Sequence, residues 1–137
     1  MKKILLIEDQ PLTIKTYISW FKELLKHKEE KPLLLFADSV EEAQKVFRDN
    51  PDISVIVFDG SINGPDIVNP DPNANPNDPY PNSVVLVYEF RKTTKVPFIA
   101  ASVLESCREV LKQAGCDYEC DDKNRVPHKV IEILGLG

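Results

Sequence analysis

The sequence predicts an α/β fold, a (βα)5 chain that forms one doubly wound, five-stranded parallel sheet. Short and continuous apolar runs, such as residues 4–7, 33–37 and 53–58, alternate with segments in which apolar residues recur at helical spacing. Continuous apolar runs are typical of strands that are buried on both faces of a parallel sheet. The fixed handedness of the crossover connections then places helices on both faces of that sheet.

The first half of the chain supplies three strands and two helices. Residues 3–8, 33–37 and 53–58 are the predicted strands. Ser39 and Glu42 have the spacing of a capping box and mark the start of the second helix. The first helix follows from a set of apolar residues with a period near 3.6, namely Ile14, Tyr17, Ile18, Phe21, Leu24 and Leu25.

The second half continues the same alternation. Residues 97–101 are a fourth strand, and Ser102 with Glu105 predicts a capping box for the helix behind it. Residues 118–120 are a short fifth strand, expected at the edge of the sheet, and residues 126–134 are the last helix. The third helix is predicted from Val84, Val87, Tyr88 and Arg91.

One long segment, residues 60–82, interrupts this pattern. Six of the eleven prolines lie between Pro65 and Pro81, interleaved with Asn and Asp. Proline-rich sequence of this kind is incompatible with a helix interior or a central strand, so we expect a loop. Two interpretations stay open: surface bulk that moves freely, or a lid or partner-contact element, since the loop leaves directly from Asp59.

Polar side chains follow several of the predicted strands. Glu8 and Asp9 end the first strand, Asp59 ends the third, Ser102 ends the fourth, and Lys123 follows the fifth. In a flavodoxin-like strand order 2-1-3-4-5, the first and third strands flank the switch point, and their carboxyl ends form the binding edge. Three neighbouring carboxylates need a cation, and Mg²⁺ prefers such oxygen ligands. The pattern therefore predicts a magnesium site beside a lysine and a hydroxyl, a set suited to phosphoryl chemistry.

Composition narrows the function classes. The chain has 137 residues, which fits one domain, and its formal net charge of -5 argues against general nucleic-acid binding. No apolar stretch approaches the roughly 20 residues of a membrane span, and no signal peptide is evident, so we expect a cytoplasmic protein without membrane contact. In that compartment the three cysteines should be reduced thiols, namely Cys107, Cys116 and Cys120.

Several short motifs together resemble those of response-regulator receiver domains, across nearly the whole chain. They are ILLIEDQP at 4–11, VIVFD at 55–59, PFIAAS at 97–102, AGCD at 114–117 and DK at 122–123. The resemblance implies a single receiver domain over residues 1–137, with the Pro- and Asn-rich segment as an insertion. The chain ends soon after the last predicted helix, so we expect no output domain within it.

The resemblance also implies a role in two-component signalling. Asp59 would accept a phosphoryl group from a histidine kinase or a histidine phosphotransfer protein, in a Mg²⁺-dependent phosphorelay. The domain would not be an enzyme in the usual sense, since it would catalyse only its own phosphorylation and dephosphorylation. Output would pass through contact with a downstream protein, and a dimer formed on phosphorylation is an open alternative.

The same resemblance assigns roles around Asp59. Asp59 and Lys123 would be the catalytic pair, and Ser102 would follow the phosphoryl group when the domain switches. The implied magnesium ligands are Asp9, Asp59, the backbone carbonyl of Ser61 and, through water, Glu8.

The sequence departs from the receiver pattern at several positions. Asn124 stands where a proline usually follows the lysine, and Cys120 replaces the aromatic switch residue. Val103 is bulkier than the residue that usually follows the switch hydroxyl. Tyr118 is the nearest aromatic residue, but we expect it on the opposite face of its strand. These departures favour a second hypothesis, a receiver-like binding module that is never phosphorylated.

A hydrolase with the same acidic site is a third hypothesis. Phosphatases of related topology use a second aspartate two residues after the nucleophile. Ser61 stands at that position here, which disfavours this hypothesis.

Overall fold

The computed structural model describes all 137 residues and contains five strands and five α-helices. The strands are β1 (Lys3–Ile7), β2 (Leu33–Ala37), β3 (Val55–Phe58), β4 (Phe98–Ala101) and β5 (Tyr118–Cys120). The helices are α1 (Pro11–Leu24), α2 (Val40–Asp49), α3 (Val84–Arg91), α4 (Glu105–Ala114) and α5 (Val126–Leu134), and a 3₁₀ turn, Lys123–Arg125, precedes α5.

All five strands are parallel and lie in the order β2-β1-β3-β4-β5, which confirms the predicted fold. Ile7 at the end of β1 pairs with both Ala37 and Phe58, so three strands end at the same level. At the other side, Ala101 pairs with Cys120. The residues that follow these positions are therefore gathered along one edge of the sheet.

The sheet is covered on both faces, and each face has its own apolar core. Alternate residues of β1 divide between them: Leu5 and Ile7 face α2, α3 and α4, whereas Ile4 and Leu6 face α1 and α5. All four are fully buried, which explains why the strand reads as one apolar run.

The helix faces differ in part from the expectation. On α1, Tyr17 and Phe21 are buried, but Ile18 is 45% exposed. On α3, Tyr88 is 57% exposed, while Leu86 is fully buried in its place. The predicted apolar face of α1 is too wide, and that of α3 is off centre. Periodicity places the buried face of a helix only to within about one residue.

The two predicted capping boxes have different outcomes. Ser39 caps α2 as expected, since its Oγ accepts a 3.0 Å hydrogen bond from the Glu42 N–H. The box at Ser102 and Glu105 is wrong, because α4 begins at Glu105 and its N-cap is Leu104. The Ser102 hydroxyl instead accepts the Leu104 N–H at 3.2 Å, a local turn that competes with capping.

Residues 60–82 contain no helix and no strand beyond an isolated bridge between Asn63 and Ser39, in agreement with the prediction of a loop. Both ends of this loop pack against the rest of the domain. Ile62 is buried in the core, and Ile67 and Tyr80 pack against that core. The middle is stabilised locally by side-chain carbonyls, such as Asn75 Oδ1, which accepts the Asn77 N–H at 3.0 Å. The loop is therefore an anchored element with an exposed centre.

None of the helices is both long enough and apolar enough to cross a bilayer. The three cysteines are buried and unpaired with one another.

Candidate functional site at the carboxyl edge of the sheet

Three carboxylates meet where β1 and β3 end. The Asp59 N–H donates to the Ile7 carbonyl at 3.0 Å, and the Glu8 N–H donates to the Ala37 carbonyl at 2.9 Å, so the ladder holds both residues at the edge. One oxygen each from Glu8, Asp9 and Asp59 lies within 4.8 Å of the others. The predicted convergence of these three residues is therefore present in the structure.

Lys123 joins this cluster from a distant part of the sequence. Its Nζ donates to Glu8 Oε2 at 2.7 Å and to Asp59 Oδ1 at 2.8 Å. The 3₁₀ turn that begins at Lys123 is capped by Asp122, whose side chain accepts the Asn124 N–H at 2.9 Å. This local cap directs the lysine back across the edge of the sheet toward β1 and β3.

Burial and the repulsion between neighbouring carboxylates determine the pKa shifts in this cluster. Burial and the nearby Asp59 charge raise the pKa of Glu8 to about 7, against the lowering effect of Lys123. Burial and Asp59 also raise the pKa of Asp9. Burial by itself would lower the pKa of Lys123, but its bonds to Asp59 and Glu8 raise it overall. One ammonium group thus only partly neutralises three carboxylates, and the site favours a further cation.

The two oxygens of Asp59 have different surroundings. Oδ1 accepts hydrogen bonds from the Gly60 N–H at 2.8 Å and from Lys123. Oδ2 has no hydrogen-bond partner within the protein, and it is not a buried atom. Asp59 therefore presents one oxygen that is held in place and one that is free for a ligand or a reaction.

Several solved structures with this architecture are receiver domains of response regulators. The non-phosphorylated HemR receiver domain from Leptospira biflexa is 17% identical with a TM-score of 0.63, and the alignment covers 100% of this chain and 97% of that one. A CheY-like receiver domain from Methylobacillus flagellatus is 16% identical with a TM-score of 0.61, covering 97% and 98%. The chain has the receiver-domain fold. The BeF3-activated DrrB receiver domain is also similar, at 15% identity and a TM-score of 0.63, with 98% of each chain covered. No protein-family model and no curated protein matches the sequence.

The carboxyl edge of this receiver fold also holds Ser102, although it does not bond to Asp59. Ser102 is buried, and a Cβ atom placed on Gly60 would lie 3.4 Å from its Oγ and 3.3 Å from the Cys107 Cβ. A glycine after Asp59 thus leaves room for Ser102 and Cys107. The roles assigned to Ser102 and Lys123 in phosphoryl binding stay predictions.

Ser61 is exposed beside the cluster, and its backbone carbonyl accepts no hydrogen bond from the protein. A carbonyl with free lone pairs can act as a hard-cation ligand. The three carboxylates of Glu8, Asp9 and Asp59 form an all-oxygen donor set, and the Ser61 carbonyl as a further ligand stays a prediction. The residues present therefore fit Mg²⁺, which prefers such ligands and retains waters.

The positions that depart from the receiver pattern lie around Ser102 and β5. Cys120 is buried, and its thiol donates to the Asp122 carbonyl at 3.2 Å, while Val103 is largely exposed. The chain has no cis peptide bond, so Lys123–Asn124 is trans. The expectation for Tyr118 was wrong: residues two apart share a strand face, and its ring lies 5.3 Å from the Lys129 Nζ of α5.

Sequence reasoning missed three polar residues that bear on the site. Arg108, nearly buried, donates to the Ser102 carbonyl at 2.7 Å and to Glu119 at 3.1 Å. Asn82 and Ser83 at the end of the long loop bond back to residues that follow Asp59. An Asn-Ser pair before an apolar helix is a signal for a helix start, but that signal does not reveal these distant partners.

Proposed function

We propose that this chain is a Mg²⁺-dependent phosphoacceptor domain of a response regulator, phosphorylated on Asp59. The observation that carries the proposal is the free Oδ2 of Asp59, which lies beside two further carboxylates and a bridging lysine at the carboxyl edge of a receiver fold. The general response-regulator role is supported by the fold neighbours.

The phosphoryl group would come from the imidazole of a histidine kinase or a histidine phosphotransfer protein. Asp59 Oδ2 forms the new O–P bond as the P–N bond breaks, and the imidazole leaves with that electron pair. The Gly60 N–H holds Oδ1 and so orients the carboxylate for attack. Lys123, which already touches Asp59, would neutralise charge on the arriving oxygens.

Bound Mg²⁺ would supply charge neutralisation for the phosphoryl oxygens. Asp9, Asp59 and the Ser61 carbonyl would hold it, with Glu8 acting through water. Hydrolysis of the acyl phosphate would reset the domain, so the chain would act as a self-catalysed switch rather than as a conventional enzyme.

The output would be a change in affinity for a cytoplasmic protein partner. Phosphorylation converts the single negative charge of the Asp59 carboxylate into the roughly two charges of an acyl phosphate, and the segment that follows Ser102 would reorganise toward the phosphoryl oxygens. The face made by β4, α4 and β5 is the surface that such a change would alter. A homodimer formed through the same face is the alternative to a separate target.

The experiment is intact-mass analysis after incubation with Mg²⁺ and a small acyl-phosphate donor. We expect one phosphoryl adduct on the wild type, and none on Asp59→Ala or in the presence of a chelator. A wild type without adduct, with Val103→Ala also unmodified, would contradict the proposal.

A second candidate function is a receiver-like binding module that is never phosphorylated. It is favoured by Cys120, which is buried and offers no aromatic ring to rotate on switching. On this hypothesis, partner binding by Asp59→Ala equals that of the wild type, with or without a phosphodonor.

A further inference from the structure

The long loop returns to the site through Asn82 and Ser83. Both side chains are buried, with 4% and 0% of their surface exposed, and both make polar contacts. Burying polar groups is unfavourable unless they are hydrogen-bonded, so their partners indicate what they are placed to hold.

Asn82 holds the backbone of Ile62 from both sides. Its Oδ1 accepts the Ile62 N–H at 2.9 Å, and its Nδ2 donates to the Ile62 carbonyl at 2.7 Å. The same Nδ2 lies 3.4 Å from the Pro65 carbonyl. This pair of bonds closes the loop at its base and fixes the peptide groups on either side of Ile62.

Ser83 holds the peptide that immediately follows Asp59. Its hydroxyl and its N–H both donate to the Gly60 carbonyl, at 2.9 Å and 3.3 Å. Ser83 is also the N-cap residue of α3, yet its side chain makes no capping hydrogen bond. Serine at an N-cap ordinarily accepts from the first turn of the helix. Here the Ser83 hydroxyl instead donates its hydrogen bond to the Gly60 carbonyl.

These contacts bracket Ser61. Gly60 is fixed through its carbonyl by Ser83 and through its N–H by Asp59, and Ile62 is fixed by Asn82. The Ser61 carbonyl between them is free of hydrogen bonds. The backbone from Asp59 to Ile62 is therefore held at its two ends, with one unbonded carbonyl in the middle.

We propose that Asn82 and Ser83 are positioning residues of the cation site, which hold the Asp59–Ile62 segment so that the Ser61 carbonyl and the Asp59 carboxylate converge on the ion. The inference rests on the proposed function for the identity of that site. The last residue of the inserted loop, Asn82, and the residue after it, Ser83, thus hold the backbone segment at which the loop begins.

The test measures Mn²⁺ affinity by electron paramagnetic resonance, with Mn²⁺ as the probe for the cation. Ser83→Ala is the main variant, because it loses one bond to Gly60 but no helix cap. The control is Asn75→Ala, an exposed residue of the same loop whose bond to Asn77 is local. We expect Ser83→Ala and Asn82→Ala to weaken binding by roughly 3–10-fold, the effect of about one hydrogen bond, and Asn75→Ala to leave it unchanged.

A second readout does not depend on the ion. In the ¹⁵N spectrum of the metal-free protein, the Ser61 amide, which shares a peptide group with the Gly60 carbonyl, should shift in Ser83→Ala and stay as in the wild type in Asn75→Ala. Asn82→Asp keeps the acceptor for the Ile62 N–H and should recover part of the loss seen in Asn82→Ala. If Asn82→Ala does not fold, Ser83→Ala alone decides.

Wild-type Mn²⁺ affinity in Ser83→Ala would overturn the inference, and so would a wild type that binds no Mn²⁺. A wild type that binds Mn²⁺ but accepts no phosphoryl group would refute the proposed function alone, and the affinity of the variants would still decide the role of Asn82 and Ser83.

Discussion

Two lysine–carboxylate clusters, one at the carboxyl ends of β1 and β3 and one between α4 and the edge strand β5, differ in burial. On the β1–β3 side, Lys123 bridges Glu8 and Asp59, with only 21% of the lysine side chain exposed. On the β5 side, Lys112 pairs with Glu119, and each side chain is 43% exposed. The two contacts are almost equally short, at 2.7 Å and 2.6 Å.

The pKa values of Glu8 and Glu119 shift in opposite directions. Hydrogen bonds from Lys112 and then Arg108 lower the pKa of Glu119, as in an ordinary surface ion pair. Burial and then Asp59 raise the pKa of Glu8 to about 7, although Lys123 touches it. In the outer cluster, Lys112 and Arg108 balance the charge of Glu119. In the inner cluster, Lys123 does not balance the charges of Glu8, Asp9 and Asp59, so excess negative charge remains. Ion-pair distance alone would not separate the two, and this excess charge marks the inner cluster as the place for a cation.

The largest expected difference between the clusters comes from removing each lysine. Lys123→Met leaves Glu8 and Asp59 without their counter-charge in a buried site, so we expect a loss of about 3 kcal/mol in unfolding free energy at pH 8 without Mg²⁺. Lys112→Met removes an exposed partner and should change stability little. Urea unfolding of both variants measures this contrast, and equal losses would remove the distinction drawn between the clusters.

The pH dependence of stability should come from the inner cluster. The folded-state pKa of Glu8, about 7, lies above its ordinary value of 4.5, so the folded state binds more protons between these values. This contribution is fully present below pH 4.5 and is lost as the pH rises through 7. Without Mg²⁺, we expect the wild type to lose unfolding free energy between pH 5 and 8 relative to Glu8→Gln, as measured by urea titrations.

Added Mg²⁺ should reduce that loss, because it binds the ionised form. As the control from the outer cluster, Glu119→Gln should follow the wild-type slope. A wild type and a Glu8→Gln variant with parallel pH profiles would show that Glu8 ionises normally.

A smaller effect is expected from Asp9, the least buried of the three carboxylates. Asp9→Asn removes one anionic ligand while keeping the shape of the side chain, so we expect Mg²⁺ affinity to fall by about tenfold. Titration calorimetry measures the affinity. The matched variant Asp71→Asn removes the same charge from the exposed loop, and it should bind Mg²⁺ as the wild type does.

The smallest effect is expected from the centre of the loop. Deleting residues 69–78 keeps Ile67 and Tyr80, which pack against the core, and it keeps the base at Asn82 and Ser83. Loop-closure entropy depends only weakly on length, so we expect the melting temperature to change by only a few degrees. A cooperative transition lost on deletion would mean that the loop centre is needed for folding.

The fold and the cluster of Glu8, Asp9 and Asp59 could be predicted because both follow from local sequence patterns. Continuous apolar runs defined the strands, and the polar residues directly after them had to gather at one edge. Ser102 was misjudged as a helix cap because two local turns compete for one hydroxyl, and spacing cannot decide between them. The bonds of Asn82 to Ile62 and of Ser83 to Gly60 span 20 and 23 positions. The sequence does not predict such contacts, because the loop between these residues has no hydrophobic periodicity.

The most direct test of Asp59 as phosphoacceptor is to locate the acyl phosphate itself. The protein is incubated with Mg²⁺ and an acyl-phosphate donor, treated with borohydride, and mapped by peptide mass spectrometry. Borohydride reduces an aspartyl phosphate to homoserine and releases phosphate. We predict homoserine at position 59, in a peptide that is unmodified when chelator is present. Homoserine at another aspartate, or at none while the protein binds Mg²⁺, would contradict the assignment.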